Sequence, residues 1–397
     1  MNYIRRLWNG KLNKIVYFVF YMILCFPFVG GRFVNTDTQP WALFLAILLV
    51  LGRCLATKSW ERNGYIDILT LYFGICVVTG LFSATQGLPT MSLARSGANY
   101  ASIFFITIAV YQMLKEQDGL NEKWIKLAIW IWFAVGMIQR FVDRSFAYGL
   151  LSLPRTSADR GVISLSGEPS FYGYMCIFFL LFAMEFKKHK LVYMGCLLFQ
   201  IVFLAMSTIT ILYLMIFVVF YVLEDLVKRG WLGLSVACLG VIFLFGGYLA
   251  MRNLQSDNRL LKMLRGLYYD RSVLLDDPSM NQRMDDIKSA LSAFVENIGM
   301  PHGYSQYRIM SGYGAALYET GIAAILIIVL FAVLFAEGKH AFTIAASMTV
   351  IMFSAVQLAC PILSFYLGYT VYKKHAKRAA VVACGKEGIL YEKRNSN

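Results

Sequence analysis

The chain has 397 residues, 58% of them hydrophobic and only 15% charged, with a formal net charge of +14. Soluble domains carry about a quarter charged residues, so this composition excludes one and points to an integral membrane protein.

Apolar runs of spanning length are predicted near 15–31, 41–56, 66–84, 99–114, 124–140, 170–186, 191–206, 208–224, 231–250 and 313–336. Arg5, Arg6, Lys11 and Lys14 precede the first run as they would in a signal peptide. No small-residue cleavage site follows Phe28–Gly31, so the run is read as the first span. The last apolar region, 342–372, is too long for one upright span and contains Pro361; it is read as two spans, 342–358 and 361–372. The total is twelve, or eleven if the short final run does not cross. The expected fold is therefore an all-α polytopic membrane protein, one transmembrane domain over 1–397. A large outer loop, 252–312, is inserted between spans nine and ten.

Alternating the loops from an inside N-terminus puts 23 Lys and Arg inside and 14 outside, 8 of these in loop 252–312. Long loops count little, so the comparison is 23 against 6, which places both termini in the cytoplasm. All outer cations except Lys262 and Lys288 are arginine, whereas the inner side is rich in lysine. Guanidinium grips phosphate in two-pronged fashion; the competing role is pairing with acids of the same loops. The outer loops hold no spaced cysteine set for a disulfide framework. Of the four histidines only His302 faces outward, so no metal site is expected there.

Loop 141–169 ends in the segment Arg155–Tyr174, which sets Arg155, Arg160 and Glu168 against the start of span six. Ionisable groups beside hydrocarbon are costly and tend to be kept for function. Glu168 has two readings: a carboxylate capping the helix that starts at Pro169, or a general base for a sugar hydroxyl. In loop 252–312, residues 259–268 alternate cations with leucines as an interfacial helix would. Ser279-x-x-Gln282 reads as a capping box. Met284, Ile287, Leu291, Phe294 and Val295 then predict an amphipathic helix over 280–297, ended by Gly299 and Pro301. Arg283 lies in its first turn, where a cation opposes the helix dipole. It either meets an anionic ligand at that helix end or pairs with Asp276, Asp277 or Asp286. His302 closes a turn or carries a proton. Glu319 is an acid inside span ten, expected to face the bundle interior and pair with an arginine from a neighbour, near Tyr313 and close-packed glycines.

In this order these residues resemble a Wzy-type polysaccharide polymerase of the O-antigen ligase and polymerase superfamily. Arg160 with Ser166-Gly167-Glu168-Pro169-Ser170 matches the family's Arg…Gly-x-x-Glu-Pro type motif at a mid-chain span. Arg283, its helix and Gly299-Met300-Pro301-His302-Gly303-Tyr304 match the late loop, and Glu319 with Gly321 matches a Glu-x-Gly. The architecture covers the whole chain; the motifs are short. Ligases of the superfamily usually carry a histidine where this chain has Met310, which favours the polymerase branch.

The resemblance implies a GT-C-like membrane glycosyltransferase of the bacterial inner membrane, with its active site on the periplasmic face. It would join undecaprenyl-diphosphate-linked oligosaccharide repeat units without metal or cofactor. Glu168, Arg160 and Arg283 are the expected catalytic residues. Arg155, Arg308, His302, Tyr313, Glu319 and Tyr172 are the expected substrate and diphosphate contacts. Partners would be membrane lipid and the lipid-linked oligosaccharide, with a chain-length-determining co-polymerase as a candidate and no nucleic acid. The rival readings are an O-antigen ligase acting on lipid A core and a transporter or flippase of lipid-linked sugars. The latter would favour matched helix repeats and mid-membrane charges.

Overall fold

The computed structural model describes residues 11–31, 36–60, 62–156, 160–229, 278–304, 309–354 and 356–395. The predicted span 231–250, the interfacial helix 259–268, Asp276, Asp277 and Arg308 lie outside the described residues. The described residues form helices and their connecting loops, with one isolated antiparallel bridge between Val29 and Leu151. In chain order the helices are α1 (Lys11–Cys25), α2 (Trp41–Thr57), α3 (Gly64–Thr85), α4 (Thr90–Glu116), α5 (Glu122–Phe141), α6 (Pro169–Ala183) and α7 (Lys190–Phe199). They continue with α8 (Thr208–Arg229), α9 (Pro278–Glu296), α10 (Gly312–Thr320), α11 (Ala324–Phe335), α12 (Ala341–Ser354) and α13 (Pro361–Asn395). Among the described residues, five helical stretches are long and apolar enough to cross a membrane: α3, α4, α5, most of α8, and α10 with α11 taken together.

Most boundaries follow the apolar pattern, and the departures have physical causes. α1 stops at Cys25 and not at residue 31, because Pro27 disfavours helix at the residue before it. α4 begins at Thr90, nine residues ahead of the predicted run, and carries Arg95, Ser96 and Asn99 into the bundle. Span 313–336 is not one helix. It breaks at Gly321–Ala323, where Gly321 has φ +58° and a side chain would sit 2.3 Å from the Gly299 carbonyl oxygen. That carbonyl accepts from the Ile322 amide at 2.7 Å, so the break exchanges a helical bond for one to the inserted loop.

α13 is the centre of the bundle. Residues 361–371 are buried throughout, and Gly368 lets the helix approach α4 so closely that a Cβ there would lie 2.7 Å from the Thr107 carbonyl oxygen. The ends of the bundle differ in chemistry. At one, Lys373 pairs with Glu185 at 2.8 Å, Lys374 with Glu337 at 3.0 Å and Arg53 with Glu116 at 2.5 Å. At the other lie the loops that carry Asp37, Arg155 and Glu168.

Two irregular segments lie at this second end: 161–167, buried between helices, and 299–304, of which Gly299, Gly303 and Tyr304 are buried. Non-helical backbone at such depth requires internal hydrogen bonds, and both have them. In 161–167 the Ser164 amide donates to Gln139 Oε1 at 2.6 Å, the Gln139 amide donates to the Ser164 carbonyl at 2.8 Å, and Ser164 Oγ donates to the Trp132 carbonyl at 2.8 Å. The Val162 amide donates to the Leu204 carbonyl in the π-helical segment Gln200–Ala205 that follows α7, where only glycine fits at 161. In 299–304 the His302 amide donates to the Tyr318 carbonyl, the Tyr304 amide donates to Ser83 Oγ at 2.8 Å, and Tyr304 Oη donates to the Cys76 carbonyl at 2.7 Å.

Candidate functional site

Glu168 stands at the N-cap position of α6 in extended backbone (φ −156°, ψ 161°), yet its carboxylate makes no capping bond to a backbone amide. It accepts from the Ser170 hydroxyl, and Arg155 Nε lies 3.8 Å from its second oxygen. Arg155 also binds Asp37 Oδ1 through Nη2 at 2.7 Å, and its guanidinium lies 5.9 Å from the Phe171 ring centre. Asp37 is almost fully buried while Arg155 is half exposed, so Arg155 links the interior to water. The backbone sets this order. Arg155 N donates to the Gly167 carbonyl at 2.7 Å, and Ser152 Oγ donates to the Thr36 carbonyl at 2.6 Å, which ties the loops before α2 and α6 together.

Arg283 comes from α9. Of the apolar stripe expected to pack there, Met284, Leu291 and Val295 are exposed, while Arg283 and Ala290 face the bundle. The helix is turned because Gly314 and Ala315 of α10 leave room for close approach and because Arg283 reaches Tyr174 of α6. Its Nη1 donates to Tyr174 Oη at 3.0 Å, and the side chain is only 8% exposed. Among the described residues this is its single hydrogen bond, and no carboxylate lies within ion-pair distance. Asp286 is occupied otherwise, accepting from the Met310 amide at 2.9 Å. Burial raises the Asp286 carboxyl above its ordinary pKa, against the Met310 bond and the Arg283 charge. A buried guanidinium with five donors and one neutral partner is under-satisfied. Glu168 is near enough to act on Arg283 electrostatically, so the two residues share one end of the bundle.

Beside this cluster is a cavity of about 430 Å³ between α2, α4, α10 and the break before α13. Its wall includes Asp37, Gln39, Arg95, Asn99, Glu319 and Gln357. Glu168 and Arg283 are not in that wall; a narrow pocket lined by Asp37, Gln357, Phe171 and Tyr174 lies between. Glu319 is held by two hydroxyls, Ser96 Oγ at 2.6 Å and Tyr100 Oη at 2.6 Å. Tyr304 of the inserted loop stacks on Tyr100 at 5.7 Å and so supports that pair.

The remaining sequence candidates scatter. The Arg160 carbonyl accepts from Arg144 at 2.8 Å, and its own guanidinium meets no described side chain. Tyr172 is fully buried on the opposite face of α6 from Tyr174, donating to Gln200 Oε1 at 2.9 Å and stacking on Trp132. Tyr313 is core, packed on Phe331 and Phe353, and its hydroxyl has no partner among the described residues. His302 stacks on Tyr318 at 4.6 Å and closes the inserted loop. Sequence reasoning did not single out Asp37, Asn99, Gln357 or Tyr174, and took Arg95 only as an outer cation. The spacing Arg95, Asn99, Ser102, Ile106 is the one signal present, a polar helical face ahead of an apolar run. Among the described residues no three His, Cys, Asp or Glu side chains converge as a metal-ligand set. No protein-family model matches the sequence, and no curated protein matches it either.

Proposed function

We propose that the protein is a glycosyltransferase that polymerises undecaprenyl-diphosphate-linked oligosaccharides at the outer face of a bacterial inner membrane. The growing glycan passes to the incoming lipid-linked unit, and undecaprenyl diphosphate is released. The observation that supports this reading most is Arg283: a buried cation, one neutral partner, and no carboxylate in reach among the described residues. Buried charges are normally paired, and a diphosphate bound at this end of the bundle would supply the missing counter-charge.

In the proposed step, the acceptor hydroxyl oxygen forms the new bond to the anomeric carbon of the donor glycan. The bond from that carbon to the diphosphate oxygen breaks, and its electron pair stays on the diphosphate. The hydroxyl proton passes to Glu168, whose carboxylate is oriented by Ser170 and Arg155. Arg283 and Arg155 face the leaving diphosphate, with Arg160 at the edge. Fixed cations aimed at a leaving group contribute several kcal/mol, about 3 for a single donor. Atoms and charge balance without a further reactant.

Purified protein given one kind of lipid-linked oligosaccharide tests this. A ladder of longer products is expected; a ligase would make none without lipid A core, and a transporter would return the substrate unchanged. Full-length product from Glu168→Gln would remove Glu168 as the base.

A further inference from the structure

We infer that the 430 Å³ cavity is a carbohydrate chamber, and that Asn99 and Gln357 are the residues that select which sugar enters it. The inference rests on the glycosyltransferase reading and assigns the sugar end of the substrate to a place apart from the diphosphate.

The geometry begins with two helical faces and one loop. Arg95, Asn99, Ser102 and Ile106 recur on one side of α4 and reach about 16 Å down its axis, at about 1.5 Å per residue. Ser311, Ala315 and Glu319 face them from α10, and Gln357 enters from the break before α13. The volume lies in the range of about 300–1,000 Å³ found for small-molecule sites, and the wall is of that kind, apolar with a few convergent polar groups.

Charge then decides the ligand class. The ionisable groups in the wall are Arg95, Asp37 and Glu319, one cation and two acids. That formal balance disfavours a phosphate, which is better served at Arg283 and Arg155. A lipid tail would cover the polar groups of the wall without offering them a hydrogen bond. A neutral polyol fits: each hydroxyl both donates and accepts, and so does each amide of Asn99 and Gln357. Asn99 has no hydrogen bond to a described residue, so its donors and acceptor are open to the cavity. An amide set to bond a hydroxyl rejects an epimer that points the hydroxyl elsewhere, because a buried polar group is then left unpaired.

The full-length protein in lipid nanodiscs is titrated with two probes. One is undecaprenyl diphosphate without sugar; the other is the undecaprenyl-diphosphate-linked oligosaccharide extracted from a strain deleted for this protein. Asn99→Ala and Gln357→Ala are each expected to weaken oligosaccharide binding by about tenfold, the cost of one or two hydrogen bonds. Binding of bare undecaprenyl diphosphate stays within twofold (roughly the scatter of such measurements, well under the 1.4 kcal/mol of a tenfold change). Asn99→Ala should also melt with the wild type, since it breaks no hydrogen bond to a described residue; this separates lost recognition from lost fold. Wild-type affinity of both variants for the oligosaccharide would overturn the chamber and leave the enzyme reading standing. Equal loss of both probes would overturn it as well. If the wild type bound neither probe, the enzyme reading would fall and this inference with it.

Discussion

Arg283 and Tyr174, 109 residues apart in the chain, meet through a 3.0 Å hydrogen bond at the end of the bundle where Glu168 begins α6. The bond ties the helix of the late loop to the mid-chain motif. It leaves the rest of a buried guanidinium without a described protein partner. The proposed diphosphate site rests on that geometry.

Tyr174→Phe keeps the ring and removes the hydroxyl. Arg283 is then buried with no hydrogen bond to a described residue, a loss of about 1–3 kcal/mol. Thermal unfolding of the purified protein should show a lower midpoint in ligand-free protein. Added undecaprenyl diphosphate should recover part of the difference, since a ligand bound to the folded state stabilises it.

Gly321→Ala should destabilise strongly. Its Cβ would lie 2.3 Å from the Gly299 carbonyl oxygen and 2.7 Å from Pro301 N, at φ +58°. A cost of about 1–3 kcal/mol for the left-handed backbone alone is expected, with the clash in addition. Gly74→Ala, which meets nothing within 4 Å, is the matched control, and a comparison of melting midpoints checks the pair.

At the opposite end, Glu337 is buried, which works against its charge, but hydrogen bonds from Lys377 and Lys374 outweigh burial and hold its pKa below the ordinary value. A depressed carboxyl contributes stability above its unfolded pKa and loses it as pH falls through the folded value. Glu337→Gln should therefore lower the melting midpoint near neutral pH. The gap to the wild type should close in acid, as a pH series of melts would show.

The sequence carried the architecture further than the site. Long uniform runs such as α3 and α5 are legible because hydropathy and helix length agree. α4 is legible only from residue 99, because Arg95, Ser96 and Asn99 lower the hydropathy of its first turns; those polar residues are what line the cavity. The break at Gly321 is invisible to hydropathy, since it depends on a loop arriving from 299–304. Glu168, Arg155 and Arg283 stand out in sequence because charge beside an apolar run is rare. Tyr174 and Tyr172 look alike in sequence, and only the placement of α9 decides that Tyr174 is the one in contact. Asp37 sits in a short loop with no periodicity, and tertiary pairing with Arg155 alone gives it a role.

The most direct test of the central claim is the affinity of undecaprenyl diphosphate for the wild type and for Arg283→Gln, both in nanodiscs and both shown to be folded. Losing a charge-assisted contact of about 1.5–3 kcal/mol predicts a fall of at least about tenfold. Arg283→Lys should be intermediate, because lysine keeps the charge without the two-pronged grip. Wild-type affinity in Arg283→Gln would contradict the account.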